Sequence, residues 1–137
     1  GIVVAIILKN MKNKMDVHLY EKSYHKSHFL EEVSKKLNLN TKVFQKNIFE
    51  IKNLETGTIM SRAFKPMPVV LDLVYENFSK YKNLIFFMGE NGKKIFDKSK
   101  DDWNLEYIEK KSVTSEDSFL LNIKKISKKN KKRYKKN

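Results

Sequence analysis

The chain has 137 residues, 40% of them hydrophobic and 12% aromatic, enough for one domain with a real core. It has no cysteine, which excludes disulfides, Cys-based zinc sites and thiol nucleophiles. Its formal net charge is +13, and its longest apolar run, residues 2–8, is far too short to span a bilayer.

Residues 2–8 are a buried strand or a buried helix; periodicity does not separate the two at this length. Residues 10–15 are polar and turn-like. Asp16-Val-His-Leu-Tyr-Glu21 alternates, with Val17 and Leu19 on one face, and predicts a strand. Ser23 is placed to cap a helix running to Leu39, where Phe29, Leu30, Val33 and Leu37 recur at helical spacing. Residues 41–45 read as β, residues 48–54 as irregular or a short helical turn, and Thr56-Gly57 as a break. Residues 58–61 predict the next strand. Pro66 and Pro68 suit the first turn of a helix, whose inner face is Val70, Leu71, Val74, Phe78 and Tyr81. Residues 84–88 are wholly apolar between Asn83 and Gly89, as in a buried central strand. Residues 91–102 predict a helix with Ile95 and Phe96 inward. Residues 105–111 and 119–126 predict a hairpin around 112–118. The last eleven residues hold seven Lys or Arg and no acid, and predict a disordered tail.

Strands alternating with helices and a closing hairpin predict an α/β domain over residues 1–126, with a mostly parallel sheet and an antiparallel edge. Residues 127–137 form the basic tail. The start at Gly1, directly followed by apolar residues, is expected of a fragment. Without the tail the chain still has 22 basic and 16 acidic residues, a net charge of +6. A basic body fits a polyanionic partner; a lysine- and asparagine-rich composition is also what AT-rich coding produces.

Arg62 is one of only two arginines, the other being Arg133 in the tail. It stands at a strand–turn–helix junction, where α/β sheets place ligands, and offers a planar fork that lysine lacks. The alternative is a solvated helix-start arginine. Glu21 ends a predicted strand, where an acid can accept from ribose hydroxyls; it can equally be a charged loop residue. There is no Gly-rich phosphate loop. His18, His25 and His28 lack metal-ligand spacing and read as surface or packing residues. No Ser-His-Asp motif is present, and the adjacent Asp101 and Asp102 do not make an acid/base pair across a cleft, so nothing recommends a hydrolase.

Taken together and in order, Gly1-Ile-Val-Val-Ala-Ile, Val17-His-Leu-Tyr-Glu21, Lys26, Phe29-Leu-Glu-Glu-Val33, Ser61-Arg-Ala-Phe64, Pro66 and Phe87-Met-Gly89 resemble the RsmG (GidB) methyltransferases. The resemblance runs from Gly1 to about Ile126. It implies a Rossmann-like class I methyltransferase sheet with its first strand missing, and residues 2–8 as the helix after the family's glycine-rich loop. It implies S-adenosylmethionine as cofactor and guanine N7 of small-subunit (16S) ribosomal RNA as substrate; no metal, a monomer and, from the short apolar run and the want of a recognisable signal peptide, no membrane and a cytoplasmic location are expected. By position, Gly1 matches the last glycine of that loop, Glu21 the acid near the ribose, Ile48 and Phe49 the segment beside the adenine, and Arg62 a cofactor contact. Phe49 stands where the family has an acid, Asn47 where it often has arginine, and Met88 where it usually has lysine. Lys128, Lys129, Lys131, Lys132 and Arg133 are expected to hold RNA phosphates. The alternative is an inactive truncated remnant or a basic α/β RNA-binding module.

Overall fold

The computed structural model describes residues 11, 13–62, 65–111 and 118–130, with Arg62 described in its backbone alone. The chain divides into two compact units, Gly1–Ile51 and Lys52–Asn137.

In the first unit, β1 (Val17–Tyr20) and β2 (Thr41–Phe44) pair in parallel, Val17 opposite Thr41 and Tyr20 opposite Phe44. The helix α1 (Tyr24–Lys36) connects them. Its start is as predicted: Ser23 Oγ accepts from the Lys26 N–H at 3.4 Å. It ends earlier than Leu39, at Lys36, with Asn38 in the left-handed region at φ 48°. Asparagine tolerates that conformation and stops the helix.

The face α1 buries differs from the one its apolar residues predict. Phe29 is 62% exposed and Leu37 also lies open, whereas Ser27 and Ser34 are buried and Leu30 is half-buried between them. The spacing 27, 30, 34 is still one helical face. The serines can be buried because each hydroxyl is satisfied locally. Ser27 Oγ donates to Tyr24 O at 2.9 Å and Ser34 Oγ to Leu30 O at 2.7 Å. Thr41 Oγ1 in turn donates to Ser34 Oγ at 2.6 Å, tying α1 to β2. A 3-10 turn, Ile48–Glu50, follows β2. The helix expected over residues 2–8 lies outside the described residues.

The second unit contains β3 (Leu54–Glu55), β4 (Thr58–Arg62), α2 (Met67–Asn77), β5 (Phe78–Lys80), β6 (Asn83–Met88), α3 (Glu90–Ser99), β7 (Trp103–Lys111) and β8 (Phe119–Lys128). Four strands make a sheet in the order β4-β6-β8-β7. β4 and β6 are parallel, and β8 runs antiparallel to both β6 and β7. The mostly parallel pairing with a closing antiparallel hairpin is as predicted. The hairpin joins the sheet through its second strand, so β7 is the edge.

Several boundaries and faces are corrected. The helix expected to carry Phe78 and Tyr81 stops at Asn77, because Phe78–Lys80 pairs as a strand with Leu54–Glu55. Residues 84–88 are buried on one face only: Leu84 and Phe86 are in the core, and Phe87 is 42% exposed. In α3, Phe96 is buried as predicted but Ile95 is exposed, since the inward stripe is Gly92, Phe96 and Ser99. The hairpin is longer at its base than predicted, pairing Trp103 with Lys128, so residues 127 and 128 belong to a strand. Residues 112–117 and 131–137 lie outside the described residues.

The core of this unit joins Val70, Leu71 and Val74 of α2, Leu84 and Phe86 of β6, Phe96 of α3, Trp103 of β7, and Leu121 and Ile123 of β8. In the four-stranded sheet β6, β7 and β8 each contribute a buried apolar residue to it, which fixes the sheet register against slippage by one residue.

Candidate functional site

Glu21 follows directly on β1. Its N–H donates to Phe44 O at 3.0 Å, extending the ladder by one step past Tyr20. Its Oε1 accepts from the Ser23 N–H at 3.1 Å, so the carboxylate is held at the start of α1. Tyr20 stacks on Phe44 with centroids 4.9 Å apart, which stiffens the strand ends beneath it. Asn47 caps the turn after β2, its Oδ1 accepting from the Phe49 N–H at 3.1 Å. Ile48 and Phe49 are half-buried there. An asparagine at position 47 therefore has a structural duty that an arginine could not perform.

Arg62 ends β4, paired in register with Phe87 of β6, and the preceding Ser61 is buried. Glu21, the 48–49 turn and Arg62 each stand at the carboxyl end of a parallel strand, the place where α/β folds bind ligands. Glu21, Ile48 and Phe49 belong to the first unit and Arg62 to the second. Gly1 lies outside the described residues, as do Lys131, Lys132 and Arg133.

The two described basic residues of the tail differ. Lys128 Nζ lies 3.8 Å from Asp72 Oδ1 and 3.7 Å from Glu76 Oε1, both on α2. The same ammonium sits over the rings of Tyr75 and Trp103, at 5.1 Å and 5.6 Å from their centroids. It clasps the end of β8 to α2. Lys129 has no carboxylate partner among the described residues, and its N–H donates to Asp102 O at 3.0 Å.

Sequence reasoning missed two groups. Across β4, β6 and β8, Asn83 Nδ2 donates to Thr58 Oγ1 at 3.2 Å and Asn122 Nδ2 to Asn83 Oδ1 at 3.1 Å. Lys124 Nζ also donates to Asn83 Oδ1. An asparagine inside Leu-Leu-Asn-Ile, and another opening an apolar strand, were the available signal. At the base of the β7–β8 hairpin, Lys100, Lys125 and Lys129 line a cavity of about 470 Å³. The Tyr107 hydroxyl, and then the Asp97 carboxylate at 3.3 Å, favour the charged form of Lys100 and raise its pKa above the ordinary lysine value. Lysine is so frequent in this chain that no run or spacing marked these three. Among the described residues no group of acids and histidines could hold a metal, and no helix is long and apolar enough to cross a membrane.

Known proteins with related sequences and folds complete the description. The chain is 62% identical over 130 residues to the ribosomal RNA small subunit methyltransferase G of Pelagibacter ubique, covering 95% of this chain and 61% of that one. It is 27% identical over 123 residues to the protein of the same name from a Jannaschia species, covering 88% and 57%. The chain thus spans about six tenths of the length of the curated relatives it matches. Among solved structures, a putative rRNA methylase from Clostridium thermocellum superposes with a TM-score of 0.55 at 10% identity, over 83% of this chain and 74% of that one. M. jannaschii TYW2, solved in complex with AdoMet, superposes with a TM-score of 0.53 at 16% identity, over 90% and 62%. These likenesses show the fold, that of class I methyltransferases, with its mixed sheet and closing hairpin. The model of the family described as "GidB: rRNA small subunit methyltransferase G" matches residues 1–123, nearly the whole described chain, and the chain belongs to that family.

Proposed function

We propose that this chain acts in the S-adenosylmethionine-dependent methylation of guanine N7 in small-subunit ribosomal RNA. The observation that carries this reading is the family match over residues 1–123, supported by the 62% identical relative. The described residues fit the cofactor. A carboxylate held through one oxygen, as Glu21 is, leaves its other oxygen to accept from two neighbouring ribose hydroxyls. The half-buried Ile48 and Phe49 suit the flat apolar face of an adenine. Gly1 and Arg62 complete the proposed cofactor set, with Arg62 as a cation and donor.

S-adenosylmethionine supplies a methyl group on a sulfonium. Guanine N7 has a lone pair in the base plane, so no side chain need remove a proton to make it a nucleophile. That agrees with a sequence in which no acid/base motif is evident. Its residues have to position the two reactants in line and exclude water, which alone can lower the barrier by about 7–11 kcal/mol. Lys129, Lys131, Lys132 and Arg133 are proposed to hold RNA phosphates, while Lys128 anchors the start of that run on α2. The enzyme would act as a monomer in the cytoplasm, where ribosomal RNA is found.

The test is transfer of labelled methyl groups from S-adenosylmethionine to small-subunit ribosomal RNA, with the product nucleoside identified by chromatography. N7-methylguanosine is the expected product. Glu21→Ala should weaken cofactor binding about 10-fold or more, by loss of charge-assisted hydrogen bonds to hydroxyls. Absence of saturable cofactor binding to a chain that unfolds cooperatively would overturn the proposal.

A further inference from the structure

The four-stranded sheet has two ends. Arg62 lies at one: it pairs with Phe87, Phe87 with Leu120, and Leu120 with Lys110. The opposite end of the hairpin is the pair Trp103–Lys128. Seven residue steps along β7 separate Lys110 from Trp103, about 23 Å at the usual rise per residue. The 470 Å³ cavity is at that far end. Within this sheet it is therefore distinct from the end where Arg62 stands.

Its chemistry is that of a polyanion site. Three lysines line it, Lys100, Lys125 and Lys129, against one acid in the lining, Glu106, while Asp97 behind it pairs with Lys100 at 3.3 Å. Glu106 is a weak counterion: its carboxylate is 3.9 Å from Lys125 Nζ, and the two side chains are 67% and 80% exposed. Asn104 and Ser127, paired across the hairpin, add a neutral amide and a hydroxyl. Lysine, asparagine and serine are the residues that contact phosphate oxygens without reading sequence. The hollow is shallow and open to solvent, a shape that suits an extended strand lying across it. The ring of Tyr107 forms part of the wall and offers a face or edge to a sugar or base.

We propose that this cavity holds the phosphodiester backbone of the substrate RNA, as an anchoring site about 20 Å from the Arg62 end of the sheet. The identification of the polyanion as RNA rests on the function proposed above. The site gives the enzyme a second grip on the strand whose guanine is modified. It is sequence-independent, so it adds affinity and orientation and leaves selection of the base to the other end.

The experiment is fluorescence anisotropy of a labelled 20-nucleotide single-stranded RNA, titrated with the 137-residue chain across a salt series. The variant is Lys125→Gln with Lys129→Gln, and the control is Lys35→Gln with Lys36→Gln at the exposed end of α1, which removes equal charge. The first pair should weaken binding about 10-fold at low salt. It should also reduce the slope of log K against log salt by about 1.4, two phosphate contacts at about 0.7 each. The control should leave the slope unchanged. Equal effects in the two variants would mean general attraction only and would overturn the proposal. So would a polyglutamate peptide that binds as tightly as the RNA and with the same loss in the Lys125/Lys129 variant, which would point to an acidic protein. Circular dichroism confirms folding, and Lys125 is exposed enough for glutamine to be tolerated. Calorimetry with S-adenosylmethionine separates the two proposals. Failure of wild type to bind cofactor counts against the methyltransferase reading alone, whereas an unchanged RNA slope counts against the anchor alone.

Discussion

A methyl group added at Gly92 would stand 2.6 Å from Met88 Cβ. That atom is fixed to the backbone of β6 and cannot swing away, so α3 would have to lift from the sheet. Helix propensity argues the other way, since alanine is better than glycine in a helix interior by about 1 kcal/mol. The steric term is larger, because overpacking of this kind costs about 1–3 kcal/mol. Gly92→Ala is therefore expected to lower the urea unfolding midpoint. Gly57 has nothing within 4 Å of an added Cβ, and Gly57→Ala should leave the midpoint unchanged or slightly raised. Equal midpoints for the two variants would show that α3 does not press on β6 as closely as described. At this same scale the site was partly legible. Glu21 could be singled out as a candidate because it ends a predicted strand just before a helix, where an acid can accept from ribose hydroxyls. The cap made by Asn47 could not, because the turn it caps is three residues long and has no periodicity of its own.

The packing of α1 shows how an element can be predicted correctly and oriented wrongly. The cap at Ser23 and the helical spacing were readable, and the strand–helix–strand order followed from them. The buried face was not, because apolarity favoured Phe29 over two serines whose hydroxyls are satisfied within the helix. Ser34→Ala should cost about 1 kcal/mol, since it takes away both the bond to Leu30 O and the acceptor for Thr41. Phe29→Ala should cost under about 0.5 kcal/mol, as an exposed position does. Thermal unfolding followed by circular dichroism decides between the two faces, and the reverse order of effects would restore the apolar one. The short strands β3 and β5 were unreadable for another reason. Two or three residues carry no period, and their pairing with each other is what makes them strands. A similar non-local contact sets the end of β8. Trp103 is the only tryptophan, so Lys128→Met can be read in its emission. That variant should shift the spectrum and cost about 1 kcal/mol, the sum of a partly exposed ion pair and a cation–π contact. Lys111→Met, at the other end of β7, should do neither.

For the whole molecule the open question is which part of the +13 charge acts on a partner. Lysine can be frequent for coding reasons, and evenly scattered charge would then bind nothing in particular. The folded residues argue against that, because Lys100, Lys125 and Lys129 line one cavity while Lys128 is turned inward onto α2. Five further positive charges lie in residues 131–137, so ending the chain at Asn130 leaves a net charge of +8. If the tail made every RNA contact, truncation would abolish salt-dependent binding. If the body contributes, truncation lowers the slope of log K against log salt by no more than about 3.5, five contacts at about 0.7 each, and a residual slope of about 1.4 or more persists. We expect the residual slope, and we expect it to fall further by about 1.4 when Lys125→Gln and Lys129→Gln are added to the truncated chain. The comparison is made at one temperature over the same salt range, since an affinity at a single salt concentration does not separate few strong contacts from many weak ones. A flat salt response in the truncated chain would assign RNA binding to the tail and leave the lysines of the body to composition.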